Sequence, residues 1–302
     1  MRLPRVSPRT YRGLTLAALV LLVAIVVTGA LVRLTESGLG CEDWPNCNNE
    51  KFIDVSSWHA GVEQVNRLFT GLVGVAVIAA VLGSLLRTPR RRDLVWLSVS
   101  LVVGVIGQAL VGAVVIYTDL HPAAVQQHFL LSMVLLAAAL TLHRRAKLAD
   151  GDRRRLVVSP ATARWAWLVG VLGAGALVTG TVVTGTGPHS GSHDGEPVRR
   201  WGFEIESVAR VHAITVMTLL VVLIVVIWRT WRTPDRRVLE APLTALIVVG
   251  LLQAAIGYIQ YFNDVPVALV GIHVLLASLV WLATVNVVLH LREGRAPARG
   301  NG

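Results

Sequence analysis

Imidazole and carboxylate side chains set into apolar sequence are where this chain could do chemistry. His128, His212 and His273 each lie in a hydrophobic run, and Glu63 lies in VEQVNRLF with Asn66 and Arg67. An ionisable group inside hydrocarbon is costly unless it is paired, ligated or turned to a polar cavity, so each is a functional candidate. Two stretches repeat one arrangement. Gln108, Gly112, Asp119 and His128 lie on QALVGAVVIYTDLHPAAVQQH, and Gln253, Gly257, Asp264 and His273 follow them by 145 positions on QAAIGYIQYFNDVPVALVGIH.

These residue types suggest a particular inorganic chemistry. Neutral imidazole is an axial ligand for haem iron, and two imidazoles on one iron suit electron transfer. His212 and His273 fall at similar depth in their apolar runs, so they can clamp one iron from both sides. His128 answers His273, but Asn66 stands where His212 would be matched. Glu63, Asn66 and Arg67 share a helix face at spacings of three and four. This half reads as a haem held by His128 alone, with Glu63 and Asn66 over an open face where oxygen and a substrate group can react. Simpler alternatives stand beside these readings: each His hydrogen-bonds a neighbouring helix, and Glu63 and Arg67 form an ion pair at the membrane interface.

The elements that must position these groups are membrane spans. The chain has 302 residues, 54% hydrophobic and 15% charged, with mean hydropathy +0.63, far more apolar surface than one soluble core could bury. Apolar runs long enough to cross about 30 Å of hydrocarbon as helix fall at 15–34, 65–87, 94–117, 123–143, 165–186, 208–229, 240–262 and 267–290. The expected fold is therefore an all-α integral membrane protein with eight spans. The first run follows four arginines but is too long for a signal-peptide core and lacks a clean cleavage site, so it is read as a span.

Charge sets the topology. The tail before the first span, the segments near 87–93, 144–164 and 229–237, and the C-terminal tail hold 22 of the 28 Lys and Arg residues. By the positive-inside rule they face the cytoplasm of a bacterial-type cell membrane, as do both termini, and the loops at 35–62, 118–122 and 187–207 are external. The net charge of +10 thus reads as topology and not as a nucleic-acid face.

The repeat reaches further. Thr28, Gly29 and Val32 answer Thr179, Gly180 and Val183, and Val65 with Asn66 answers Val211 with His212. Four spans per unit make both units enter from the same side, so two pseudo-symmetric four-helix bundles are expected, 1–150 and 151–302, with an axis along the membrane normal. Inverted-repeat transporters need opposed units; parallel bundles can each hold a cofactor between facing helices.

The string VTGALVRLTESGLGCEDWPNC, from Val27 to Cys47, resembles the signature of haem A synthases, and with Glu63 and the later histidines the resemblance runs from Thr28 to about Leu291. It implies eight transmembrane helices in two similar halves and oxidation of the haem O methyl group to the formyl group of haem A for cytochrome c oxidase. By that resemblance Glu63 is the essential carboxylate and His128 the ligand in the catalytic N-terminal half, while His212 and His273 are the axial pair of a resident haem b in the C-terminal half. Haem O, O2, water and an electron donor would be the reaction partners, with haem O synthase and oxidase assembly factors as protein partners in the membrane; a homo-oligomer is compatible with this. Asn66 departs from the family, whose better-known members carry His there, and so does Ala213, where Arg is often seen.

Cys41 and Cys47 are the two cysteines, in an external loop, and an oxidising compartment makes a disulfide the default reading; a redox-active bridge is the sharper alternative. Arg33 and Arg67 are placed to pair with haem propionates, with solvated or headgroup-facing arginines as the alternative. His143 and His290 are expected to anchor at the cytoplasmic interface, and His59, His121, His189 and His193 to be solvated in external loops. Gln108 and Gln253 are read as bonds between helices. Two other functions fit the same spans: a diheme b-type electron-transfer cytochrome, which needs two saturated sites, and a haem transporter without turnover.

Overall fold

The computed structural model describes residues 5–151, 155–192 and 198–292. Eight helices follow one another: α1 (Pro8–Leu34), α2 (Trp58–Leu86), α3 (Arg92–Tyr117), α4 (Pro122–Lys147), α5 (Pro160–Thr186), α6 (Ile205–Trp231), α7 (Arg236–Phe262) and α8 (Val267–His290). All eight are long and apolar enough to cross a membrane, and the chain is an integral membrane protein. At about 1.5 Å per residue they run beyond the hydrocarbon layer.

The helices start earlier than the apolar runs because polar caps extend them. Ser7, Ser57 and Ser159 each accept a hydrogen bond from a backbone N–H three residues on, and prolines at 8, 122 and 160 open α1, α4 and α5. Two placements from sequence are corrected. His59 lies in the first turn of α2, its Nδ1 3.1 Å from the Ser37 hydroxyl, and not in a loop. His143 does not anchor at the interface: it is buried in α4 with Nδ1 3.0 Å from the Thr15 hydroxyl. His290 faces inward too, with Nδ1 2.7 Å from the Asn286 carbonyl and the Arg144 guanidinium beside its ring.

The neighbours are the same in each set of four. α1 packs on α2 and α4, and α3 on α2 and α4; α5 packs on α6 and α8, and α7 on α6 and α8. The sets meet along α1, α4, α5 and α8. Trp281 of α8 crosses this seam to donate to the Met133 carbonyl of α4 at 2.8 Å. The turns after α3 and α7 match as well. Asp119 and Leu120, and Asp264 and Val265, all adopt positive φ between 50° and 56°, and Leu120 and Val265 donate back to the carbonyls of Val115 and Gln260. Left-handed Leu and Val are uncommon and persist only where the surroundings enforce them.

The buried core is lopsided along the membrane axis. Its α1–α4 part, which includes Leu19, Leu22, Val77, Leu101, Leu136 and Leu142, lies toward the end carrying the basic loops. The α5–α8 part, with Val169, Leu223, Val226, Leu243 and Val287, lies at that same end. Close packing there fixes the helices. His128, His212 and His273 sit toward the other end, outside these two core clusters.

Candidate functional site

The open end of each bundle is where the sequence candidates gather. α6 and α8 lie diagonally in their ring and do not approach closely as backbones, and the same holds for α2 and α4. His212 of α6 lies against Gly180 of α5, and His273 of α8 lies against Gly257 of α7.

Each ring is held by its neighbours in a recognisable way. The Thr179 hydroxyl of α5 lies 2.9 Å from His212 Nδ1 and 3.0 Å from the Gly175 carbonyl. If the hydroxyl donates to that carbonyl it accepts from the ring, which fixes the proton on Nδ1 and leaves the Nε2 lone pair available. Metal-bound imidazoles are oriented by this kind of outer bond. Glycines make room for all three rings: a Cβ on Gly180, Gly257 or Gly112 would lie 3.1, 3.2 or 3.4 Å from Cε1 of His212, His273 or His128 respectively. The Nδ1 atoms of His128 and His273 are buried without a hydrogen-bond partner. Among the described residues no three His, Cys, Asp or Glu side chains converge as a metal site; a haem iron requires at most two.

The equivalent position in the first bundle is built differently. Thr28 of α1 lies 2.9 Å from the Asn66 side chain of α2, repeating the Thr179 and His212 pairing with an amide. Gly29, the counterpart of Gly180, has open space where its Cβ would be. His128 on α4 makes no hydrogen bond to Glu63 or Asn66. Its backbone carbonyl instead accepts from Gln108 Nε2 at 3.1 Å, and Gln108 also bonds Ser132 at 2.7 Å. Gln253 lacks this arrangement because Ala277 stands at the position answering Ser132. The Oε1 atoms of Gln108, Gln253 and Gln260 are all buried without partners.

Glu63 is 6% exposed and fully engaged. Oε2 accepts from the Cys41 N–H at 2.8 Å, and Oε1 accepts from Arg67 Nε at 3.0 Å and from its terminal nitrogen at 2.6 Å. The ion pair that sequence spacing allowed is therefore present, and it is tied to the Cys41–Cys47 disulfide loop. Arg67 also donates to the Asp43 and Asn46 carbonyls.

Arg33 acts at the seam. Its guanidinium donates to the His189 carbonyl at 2.9 and 2.8 Å and to the Thr184 carbonyl at 3.1 Å. Arg200, which sequence reading passed over, donates to the same Thr184 carbonyl at 2.8 Å and to Gly187. Burial draws the Arg200 pKa below the ordinary arginine value. Neither arginine faces a carboxylate among the described residues. His189 is held by Val265, its Nε2 2.8 Å from that carbonyl, and is not free in solvent. His121 caps α4, accepting from the Ala123 N–H at 3.2 Å, and meets Trp201 edge on. His193 lies outside the described residues.

The family profile described as cytochrome oxidase assembly protein (COX15-CtaA) matches residues 12–58 and 52–285. Among curated proteins, the chain is similar to heme A synthase of Lysinibacillus sphaericus, 30% identical over 135 residues that are 44% of each chain. It is also similar to those of Bacillus licheniformis, 29% over 48% of each chain, and Geobacillus kaustophilus, 32% over 46% of this chain and 45% of that one. These matches span less than half the length of each relative.

Proposed function

We propose that this chain, which belongs to the cytochrome oxidase assembly protein family, is a haem A synthase that oxidises the methyl group of haem O to the formyl group of haem A. The observation that carries the reading is the contrast between equivalent positions. Thr179 meets an imidazole in one bundle, and Thr28 meets an amide in the other.

In this reading His212 and His273 would hold a haem b, with Thr179 and the Gly180 and Gly257 notches orienting the two rings. Such a haem supplies one-electron transfer when bound. His128 would hold the substrate haem O, and Asn66, a weak iron ligand, would leave its iron accessible to O2. Glu63 holds or passes a proton over that face, in the role of a general acid or base. Arg33 with Arg200 supports carboxylates at the external mouth, since Arg67 is occupied by Glu63 and the loop. The two halves are read as bundles related by an axis along the membrane normal, with both termini cytoplasmic and the disulfide loop external. An electron donor, haem O synthase and oxidase assembly factors are the partners this activity calls for.

Extracted-pigment chromatography after expression beside a source of haem O tests the proposal. The formyl product should appear with the wild-type chain and be lost in Glu63→Ala. Haem O left unconverted by the wild-type chain, with two equivalent low-spin haems in its spectrum, would instead favour the diheme cytochrome.

A further inference from the structure

The covalent ring closed by Cys41 and Cys47 does more than brace an exposed loop. Backbone atoms inside the ring make three hydrogen bonds with α2 that end on two side chains, and Cys41 Sγ lies 3.9 Å from Gln64 Oε1. The Cys41 N–H donates to Glu63, and the carbonyls of Asp43 and Asn46 accept from one terminal nitrogen of Arg67 at 3.0 and 2.9 Å. The remaining Arg67 donors are on Glu63. The guanidinium is thus a fork with one side on the carboxylate and the other on the loop.

The approach is close. A Cβ at Gly40 would come within 2.3 Å of the His59 carbonyl oxygen, so the loop backbone lies directly on the first turn of α2. Cys41, Cys47 and Ala60 are 1%, 1% and 4% exposed and form a small core of their own. Tyr117 adds an outer tie, its hydroxyl 2.7 Å from the Trp44 carbonyl and 3.3 Å from Asp43 Oδ1.

We propose that Arg67 is a positioning residue that pins the disulfide-closed loop onto the Glu63 carboxylate, so that loop, bridge and carboxylate hold or release together. A planar fork of donors can serve a carboxylate and two carbonyls at once, which a lysine ammonium cannot do with the same geometry. Hydrogen bonds to charged groups are the stronger ones, and here both partners are sheltered from solvent. Finally, the ring keeps Asp43 and Asn46 at a fixed separation, so that both carbonyls meet one nitrogen. Opening the bridge would let residues 41 and 47 separate and dissolve that match. It would require a dithiol reductant that gives two electrons and two protons, leaving two thiols here and a disulfide on the reductant.

The inference concerns the carboxylate that the proposed function uses, and only its catalytic consequence rests on that reading. The test therefore reads thiol chemistry in the full-length protein in lipid nanodiscs. Dithiothreitol is the reductant, and maleimide labelling reports how fast the Cys41–Cys47 bridge opens. Arg67→Gln and Glu63→Gln should each speed reduction about tenfold or more, the scale expected for losing a charge-assisted hydrogen bond. The double variant should add little to either single change. Arg67→Lys should fall between, because it keeps the charge and loses the fork. Tyr117→Phe should change the rate less than threefold. Circular dichroism at matched helicity confirms that the variants remain folded. Wild-type reduction rates in both Arg67→Gln and Arg67→Lys, or strictly additive effects of Arg67→Gln and Glu63→Gln, would overturn the proposal.

Discussion

Thr28 and Thr179 stand at matching places in α1 and α5, and each reaches across to the next helix. One finds the amide of Asn66 at 2.9 Å and the other the imidazole of His212 at 2.9 Å. Around the imidazole a glycine is needed, since a Cβ on Gly180 would crowd the ring, whereas Gly29 has free space. The scaffolding is shared and the functional group differs. A repeated set of helix neighbours can thus keep its turns while the side chain that the threonine meets changes, because a threonine hydroxyl accepts or donates equally well to an imidazole or an amide.

The largest effect that would separate the two halves is expected from Glu63→Ala. Loss of a positioned acid or base costs about 10²–10⁴-fold in rate, so haem A formation should fall by at least about a hundredfold while haem b in the other half stays at wild-type occupancy. Pigment chromatography and the reduced-minus-oxidised spectrum measure both. A parallel loss of haem b would show that Glu63 supports the whole fold.

Asn66→His would erase the contrast. It should add an axial imidazole in the first half, convert the substrate haem to a low-spin form and lower turnover about tenfold or more through loss of the open face, as seen by electron paramagnetic resonance and product analysis. Unchanged spin state would mean that Asn66 does not border the iron. Thr179→Val should free the His212 ring from its orienting bond, and outer partners of metal ligands are typically worth about 10–100-fold in affinity. Haem titration of the apo-protein would detect this, and a wild-type dissociation constant would remove Thr179 from the account. The smallest effect should come from Gly180→Ala. Its Cβ would press on His212 from 3.1 Å, shifting the haem b midpoint potential or Soret band slightly without loss of occupancy. The same change at Gly29 should be silent.

Much of this organisation could be read from the chain before any coordinates. Eight apolar runs became eight helices, and the matched histidines and Thr–Gly pairs marked equivalent positions, because hydrophobic periodicity and repeats are local properties of sequence. Helix starts at Pro8, Trp58 and Pro160 were harder, since serine caps carry a helix beyond its apolar stretch. The inward-facing His143 was invisible for a different reason. Its partner Thr15 lies on another helix, and no spacing rule connects them. The same holds for Arg200, whose meeting with Arg33 at the Thr184 carbonyl depends on a seam between α1 and the segment after α5. Arg67 was noticed as a cation beside Glu63, but its second engagement with the disulfide loop required the loop to fold back onto α2.

We propose that two imidazoles hold an iron on the α6 and α8 side and that a single imidazole serves the α2 and α4 side. Low-temperature electron paramagnetic resonance with haem quantification, on purified His128→Ala and His273→Ala proteins, tests this most directly. The His128→Ala protein should retain one low-spin bis-imidazole haem b per chain, and the His273→Ala protein should lose that signal. A bis-imidazole haem that survives His273→Ala, or that disappears in His128→Ala, would contradict the account.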